Sequence, residues 1–229
     1  MVMKSLVVLT GAGISAESGI KTFRDSDGLW EEYNVKDVAS IDGWYRNPKL
    51  VIDFYNQRRQ QLEKASPNDA HFGLTELESL FDVQIITQNI DNLHERAGSK
   101  NIIHLHGELT KVRSINNDNL ITDIGYTDIK LGDKASDGSQ LRPHIVWFGE
   151  AVPMLEKAIS IVRKADIFVI IGSSLNVYPA AGLINYVSAG IPIYIIDPKD
   201  VTSSRARLHI KKPATLGIKD LQKILLTPR

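Results

Sequence analysis

Four short apolar runs limit this chain to a small set of folds. They are rich in β-branched residues and cover residues 6–9, 83–86, 167–171 and 191–196. Runs of this length and composition are typical of strands buried on both faces of a parallel sheet. Helical patterns lie between them, for example at 155–164 and 180–189. The alternation predicts an α/β fold with a doubly wound parallel sheet.

The four runs all end in small or polar residues, which read LTGAGIS, ITQNID, IGSSLN and IDPKD. In a doubly wound sheet, ligands bind beyond the carboxyl ends of the strands, near the point where the strand order reverses. The polar strand ends therefore predict one shared crevice.

Two stretches interrupt the alternation of strands and helices. Residues 24–65 are rich in Trp and Tyr and then helical, and residues 108–142 are rich in Asn, Asp and Gly. We expect these insertions to form a second, smaller domain. The large domain would then consist of residues 1–23, 66–107 and 143–229.

Composition argues against several classes of function. Lys+Arg and Asp+Glu each total 27, so no global field draws the chain to nucleic acid or to an anionic membrane. There is no Cys, which excludes disulfides, thiolate catalysis and Cys-ligated zinc. The apolar run near the start is too short for a signal-peptide core or a membrane span. We expect a cytoplasmic monomer with no metal, no specific nucleic-acid partner and no membrane partner.

A glycine-rich turn follows the first run, where Gly11, Ala12 and Gly13 open the spacing G-x-G-x-x-A. Such glycines let backbone N–H groups approach a pyrophosphate, although an ordinary strand-to-helix turn is an equally good interpretation. A plain dehydrogenase would next show a strand ending in Asp or Glu about 20 residues later. The sequence FRDSDGLWEEYN stands there instead. Asp197, at the end of the fourth run, could bind a ribose or simply form a turn before Pro198.

Five blocks of sequence resemble the sirtuins, which are NAD-dependent protein lysine deacylases. The blocks lie at 11–25, 87–94, 104–109, 143–150 and 172–181, and read GAGISAESGIKTFRD, TQNIDNLH, HLHGEL, PHIVWFGE and GSSLNVYPAA. The resemblance implies a Rossmann-like large domain and a small domain built from two insertions. It also implies that NAD is consumed as a co-substrate in the cleft between them.

Position by position, the resemblance assigns the NAD contacts and the catalytic residues. His106 resembles the general base, and Asn89 would be the second catalytic residue. The family commonly has Asn at the position of Ile195, so one adenine-ribose contact is in doubt. The implied NAD-binding residues are Gly11, Ala12, Gly13, Ser15, Glu17, Phe23, Arg24, Gln88, Asn89, Ile90, Asp91, Gly172, Ser173, Ser174, Asp197 and Ala214.

Purely structural interpretations of these residues stay open. His106 ends a strand, where a histidine is often structural, while His104 should point to the opposite face. Asn89 and Asp91 could cap the following helix, and Asp91 could do so while also binding ligand. Arg24 could be a solvated surface charge.

The reaction implied by the resemblance begins with loss of nicotinamide, because the amide oxygen of an acyl-lysine is a poor nucleophile. Asn89 and Asp91 are suitable polar groups for the nicotinamide side. His106, with an ordinary pKa of about 6.5, would remove a ribose hydroxyl proton at neutral pH. The products would be free lysine, nicotinamide and O-acyl-ADP-ribose, and no metal takes part.

The block PHIVWFGE resembles the strand to which sirtuins add an extended substrate peptide by main-chain hydrogen bonds. Val146, Trp147, Phe148 and Gly149 would then flank the tunnel for the acylated lysine. An ordinary buried strand with an aromatic end is the alternative interpretation.

The chain departs from most sirtuins because it lacks the two C-x-x-C pairs that bind a structural zinc in the small domain. Residues 108–142 contain neither Cys nor His, and their Asp residues lack paired spacing. We therefore expect a small domain held by packing alone.

A helix predicted over residues 48–63 indicates which acyl group the chain prefers. Arg58 falls on the apolar face of this helix at helical spacing, and an inward guanidinium needs an anion. Tyr55 and Arg58 match the pair of the sirtuin subclass that removes succinyl, malonyl and glutaryl groups, and Ala39 matches its small pocket residue. Arg58 would bind the distal carboxylate with Tyr55 as a second donor. An internal salt bridge of Arg58 is the alternative.

Three functions are compatible with these sequence features. The first is a metal-free NAD-dependent deacylase of acyl-lysine proteins that prefers succinyl- or malonyl-lysine. The second is protein mono-ADP-ribosyl transfer or NAD hydrolysis on the same fold. A non-catalytic NAD-binding module is the third, although His106 and Asn89 are both retained.

Overall fold

The chain forms two β-sheets flanked by helices, and the computed structural model describes residues 3–20 and 33–227. The strands are β1 (Lys4–Thr10), β2 (Phe81–Thr87), β3 (Ile102–His104), β4 (Gly107–Ser114), β5 (Ile121–Asp123), β6 (Leu141–Ile145), β7 (Ile167–Ile171), β8 (Ile193–Ile196) and β9 (Leu208–Ile210). The α-helices are α1 (Val35–Val38), α2 (Ile41–Arg46), α3 (Pro48–Lys64), α4 (Asp69–Leu77), α5 (Leu93–Ala97), α6 (Leu155–Val162) and α7 (Ala214–Leu226). Short 3₁₀ stretches lie at Ala12–Ile14, Ala16–Ser18 and Ala180–Tyr186.

The large sheet has six parallel strands in the order β3-β2-β1-β7-β8-β9. Alternate residues of β1 face opposite sides: Leu6 and Val8 pack in a core with α4 and α7, whereas Val7 and Leu9 pack in a second core with α6. The α/β, doubly wound fold predicted from the sequence is confirmed. The order reverses between β1 and β7, which makes this the switch point where ligands bind.

The four predicted strands are present as β1, β2, β7 and β8. Strands β3 and β9 were not predicted, because three residues are too few to show a period in sequence. The helix predicted over 180–189 is a 3₁₀ stretch that ends at Tyr186.

The second sheet is antiparallel, with the order β5-β4-β6. Helix α3 packs against it through an apolar core that includes Phe54, Leu62 and Val112. The helix begins after Asn47, whose side chain accepts a hydrogen bond from the N–H of Leu50 at 3.0 Å. The expected domain boundary at 107 falls where β4 begins and the one at 143 falls inside β6, so the division into domains stays a prediction.

Hydrogen bonds join the loop after β4 to the loop between β5 and β6. Ser114 is buried, its Oγ donates to Asp137 Oδ2 at 2.6 Å, and it accepts the N–H groups of Asn116 and Asn117 at 3.0 Å each. Hydrogen bonds from the Ser114 and Ser139 side chains hold the pKa of Asp137 below its usual range. The expectation that packing alone holds this region is therefore wrong, because a polar cluster also fixes the loops.

No helix in the described ranges is both long and apolar enough to cross a membrane.

Replacement of Ser114 by Ala tests this polar cluster. The variant leaves two backbone N–H groups without their acceptor, so we expect the free energy of unfolding to fall by about 1–3 kcal/mol in urea titrations. Ser160→Ala, which replaces an exposed serine on α6, is the control and should change the free energy of unfolding little.

We expect EDTA to leave the unfolding midpoint of wild type unchanged. A midpoint that falls in EDTA would contradict a metal-free small sheet.

Candidate functional site

One cavity of about 730 Å³ opens at the carboxyl ends of β1, β2, β7 and β8 and extends to α3 and the segment after β6. Every predicted site residue within the described ranges lines this cavity. Phe23 and Arg24 lie outside the described residues. The predicted residues on its wall are Gly11, Ala12, Gly13, Ser15, Glu17, Ala39, Tyr55, Arg58, Gln88, Asn89, Ile90, Asp91, His106, Val146, Trp147, Phe148, Gly149, Gly172, Ser173, Ser174, Asp197 and Ala214.

Two glycine turns meet at the sheet's switch point. The N–H of Gly13 donates to the carbonyl of Gly172 at 2.9 Å. A Cβ on Gly13 would lie 2.6 Å from the Gly172 Cα, so neither turn has room for a side chain at this contact. The backbone of the first turn consequently forms the floor of the cavity, as the G-x-G spacing predicts.

Two short 3₁₀ turns follow β1, at Ala12–Ile14 and Ala16–Ser18, and Glu17 lies in the second. Gly19 adopts φ +84° and ends the second turn. The Glu17 carboxylate accepts hydrogen bonds from the Thr215 N–H at 3.0 Å and hydroxyl at 2.7 Å, at the start of α7. Glu17 therefore joins the glycine turn to α7 and brings Ala214 to the cavity wall.

Ser15, Asn89 and Asp91 form a buried polar network at one end of the cavity. Asn89 Nδ2 donates to Ser15 Oγ at 3.1 Å and to the Gly11 carbonyl at 3.2 Å, and Ser15 Oγ donates to Asp91 Oδ2 at 3.0 Å. Asp91 Oδ1 accepts the N–H of Leu93, the first residue of α5, at 3.2 Å, although the N-cap position itself belongs to Asn92. Asp91 therefore satisfies a backbone donor at the start of the helix and also lines the cavity. Burial raises the pKa of Asp91, although the Leu93 and Ser15 hydrogen bonds oppose the rise.

His106 follows β3 and faces the same end of the cavity. Its Nδ1 lies 2.9 Å from the Gln88 carbonyl, so Nδ1 carries the proton and Nε2 is the basic nitrogen. Burial lowers the pKa of His106, although the Gln88 hydrogen bond opposes this. A neutral imidazole with a fixed tautomer is the state that a general base needs.

Gln88, Ser173 and Asp197 form another part of the cavity wall. Gln88 Nε2 donates to Ser173 Oγ at 2.8 Å, which joins the ends of β2 and β7. Asp197 Oδ1 accepts the N–H of Lys199 at 2.8 Å, so this carboxylate forms the turn that the sequence left as one alternative. Ile195 is fully buried in the core of the large sheet and does not line the cavity.

Tyr55, Arg58 and Ala39 line the opposite arm of the cavity, beside Trp147. Trp147 Nε1 donates to the Tyr55 hydroxyl at 3.0 Å, so the phenol keeps its own hydrogen for another acceptor. Burial raises the pKa of Tyr55 to about 12, against the Trp147 hydrogen bond, and the group stays protonated. Burial lowers the pKa of Arg58, while Tyr55 and Asp91 oppose this through charge.

The contacts of Trp147 with Arg142 and Glu150 were not predicted from the sequence. Arg142 stacks on the Trp147 ring with Cζ 3.6 Å from its centroid. The Arg142 guanidinium pairs with both oxygens of Glu150 at 2.7 and 3.0 Å, and Glu150 accepts the Trp147 N–H at 2.8 Å. Both charged residues stand in or beside the block PHIVWFGE, but their pairing depends on a turn that sequence spacing does not show.

Three side chains in the described ranges could together reach a cation. The donor atoms of Glu95, His104 and Glu108 lie within 4.8 Å of one another, on a face that does not line the cavity. His104 Nε2 is only 2.8 Å from Glu95 Oε1, so an ion pair accounts for the grouping and we assign no metal.

Comparisons with known proteins identify the family. A model of the Sir2 family matches residues 11–179. An NAD-dependent protein deacylase of Bacteroides thetaiotaomicron is 58% identical over 231 residues, which cover 98% of this chain and 99% of the relative. The chain belongs to the Sir2 family.

Solved Sir2 structures share the whole architecture. A Sir2 homologue mutant solved as an ADP-ribose complex has a TM-score of 0.88 at 38% identity, covering 99% of this chain and 96% of its own. A Sir2 homologue solved with NAD has a TM-score of 0.87 at 39% identity, covering 97% of this chain and 91% of its own. The residue roles taken from the sirtuin resemblance stay predictions.

Replacement of Gly172 by Ala tests the contact between the two glycine turns. Gly172 has φ +63°, and an added Cβ would lie 2.3 Å from the N atom of Ile14. We expect the free energy of unfolding to fall by about 2–5 kcal/mol from strain and overpacking together. Gly190→Ala is the matched control, because Gly190 has φ +83° and no atom within 4 Å of the added Cβ. Equal losses in the two variants, measured by urea unfolding, would contradict a tight contact.

Proposed function

We propose that this Sir2 protein is an NAD-dependent protein-lysine deacylase whose pocket prefers acyl groups with a distal carboxylate, such as succinyl and malonyl. The relative that is 58% identical is named for NAD-dependent protein deacylation, and this supports the reaction class. The pairing of Arg58 and Tyr55 on the wall of the cavity carries the acyl preference.

The polar groups around the cavity suit NAD. The closely packed glycine turns bring backbone N–H groups and Ser15 to where a pyrophosphate would lie. Ser173, Ser174, Asp197 and Ala214 would contact the adenosine half, at the ends of β7 and β8 and the start of α7. When bound, NAD supplies the ribose carbon that receives the acyl oxygen.

The protein's own groups can perform the acid-base steps. Asn89 and Asp91 would contact the nicotinamide side, where their mutual hydrogen bonds through Ser15 keep them fixed. His106 Nε2 would take the proton from a ribose hydroxyl, because its Nδ1 proton is held by the Gln88 carbonyl. The lowered pKa keeps His106 in its basic form at neutral pH.

The acyl arm combines a cation with a neutral donor in a partly closed space. Tyr55 is 2% exposed and is removed from water, whereas Arg58 is half-buried and is partly shielded from water. A carboxylate there could accept from the guanidinium and from the phenol, which are the donors that stabilise a buried anion. Ala39 adds little bulk to this wall, which leaves room for an acyl chain longer than acetyl.

The mouth of the cavity suits an extended peptide. Phe148 is 52% exposed and Tyr178 is 72% exposed, and both line the cavity. The Phe148 N–H donates to the Ala39 carbonyl at 2.9 Å, and its carbonyl accepts from Ile41 at 3.1 Å. The main chain of Phe148 is therefore occupied on that side, so a peptide would pair with neighbouring residues of this segment. An acyl-lysine protein is the partner that we propose for these loops.

Arg58→Met tests the acyl preference. We expect kcat/KM for a succinyl-lysine peptide to fall about 10- to 100-fold, because a charge-assisted interaction with the distal carboxylate is lost. The value for the same peptide with acetyl-lysine should stay within about threefold, since an acetyl group presents no anion. Lys64→Met, at the exposed end of α3, is the matched control and should change neither value.

Nicotinamide and deacylated peptide should be measured together in this assay. Equal losses on both peptides would show that Arg58 has a structural role, and wild-type preference for acetyl-lysine would contradict the carboxylate pocket. Nicotinamide release without deacylated peptide would instead support ADP-ribosyl transfer or NAD hydrolysis.

A further inference from the structure

His104 makes hydrogen bonds through both ring nitrogens, on the side of the 88–91 loop that faces away from the cavity. Its Nε2 lies 2.8 Å from Glu95 Oε1 on α5. Its Nδ1 lies 3.1 Å from the carbonyl of Asn89. A carboxylate and a carbonyl oxygen can only accept, so both nitrogens must carry a proton. This geometry requires the imidazolium form of His104.

The surroundings of His104 favour the imidazolium form. Its side chain is only 8% exposed, and burial alone would lower the pKa. The hydrogen bond and charge of Glu95, the charge of Glu108 and the hydrogen bond to the Asn89 carbonyl together outweigh that effect, so the pKa of His104 is raised above its ordinary value.

Charged and titratable groups face His104 from three directions. Glu95 and His94 belong to α5, and Asp91 belongs to the loop before it. Glu108 lies on β4, and Lys111 of the same strand pairs with Glu108 at 2.7 Å. Glu95, Glu108 and Asp91 can carry negative charge. His94 is buried, and its pKa lies well below the ordinary value, so it is neutral. The balance of charge around His104 is therefore negative.

The carbonyl that His104 contacts belongs to Asn89, which the proposed function places at the nicotinamide side. The Asn89 side chain donates hydrogen bonds to Ser15 and Gly11 on the cavity side. The Asn89 carbonyl accepts a hydrogen bond from His104 on the other side of the loop. The preceding carbonyl, of Gln88, is held by His106. Two histidines thus fix consecutive carbonyls of one loop, with His104 in the charged form and His106 in the neutral form.

We propose that His104 and Glu95 are a pair of positioning residues that hold the 88–91 loop in its reactive geometry only while His104 is protonated. The proposal rests on the proposed deacylase function and adds a residue pair that does not line the cavity. Loss of the His104 proton removes one of the two N–H donors, which releases either the loop carbonyl or Glu95. A misplacement of about 1 Å at reacting groups can cost about 100-fold in rate. Activity should therefore fall as pH rises through the raised pKa of His104.

The pH dependence of kcat/KM for NAD separates this role from a general structural one. In Glu95→Gln, the amide oxygen can still accept from Nε2 but the charge that stabilises the imidazolium is gone. We expect the alkaline limb of the profile to move to lower pH, while the acid limb, which belongs to His106, stays in place. Glu156→Gln, an exposed carboxylate on α6, is the control and should leave both limbs unchanged.

His104→Asn gives an independent test, because its amide can donate to the Asn89 carbonyl at every pH. We expect kcat to fall about tenfold from imperfect geometry, and the alkaline limb assigned to His104 to disappear. Thermal unfolding of each variant reports any loss of fold. An alkaline limb that is the same in Glu95→Gln, His104→Asn and wild type would overturn the proposal.

Failure of the proposed function would give a different result. Wild-type protein would then release no deacylated peptide at any pH, whereas failure of the positioning role leaves an active enzyme with an unshifted profile.

Discussion

The backbone contact between Gly13 and Gly172 underlies the whole cavity. It joins the turns that follow the paired strands β1 and β7 at the switch point, with the Gly13 N–H 2.9 Å from the Gly172 carbonyl. A side chain at either residue would separate the two turns and open the floor of the cavity. Beside this contact, Ser15 forms hydrogen bonds with Asn89 and Asp91, and Ser173 forms one with Gln88. The polar ends of the sheet thereby become one site.

Two nearby histidines beside the cavity have opposite protonation preferences. His104 and His106 flank the buried Leu105, yet their side chains find different surroundings. The Glu95 carboxylate raises the pKa of His104 against burial, whereas His106 contacts the Gln88 carbonyl and its pKa is lowered by burial. A charged group supports the loop from outside while a neutral base faces the cavity.

Much of the fold and the location of the crevice could be predicted, because both depend on local patterns, whereas the individual site residues came from the sirtuin resemblance. The β-branched runs predicted β1, β2, β7 and β8, and their polar ends predicted the crevice. The pairs Ser114–Asp137, Arg142–Glu150 and His104–Glu95 could not be predicted, since each depends on loops whose approach no periodicity records. The prediction that His104 points to the face opposite His106 identified the direction of its side chain but not its partner Glu95. Asp197 forms a turn, which is one of the two roles that the sequence allows it.

A product balance for wild-type protein would show whether this cavity transfers the acyl group of a lysine to NAD. The protein, NAD and a succinyl-lysine peptide would be incubated together, and all products quantified by mass spectrometry. We expect nicotinamide, free-lysine peptide and O-succinyl-ADP-ribose in equal amounts. Free ADP-ribose or ADP-ribosylated protein formed in place of O-succinyl-ADP-ribose, with the peptide still succinylated, would contradict acyl transfer in this cavity.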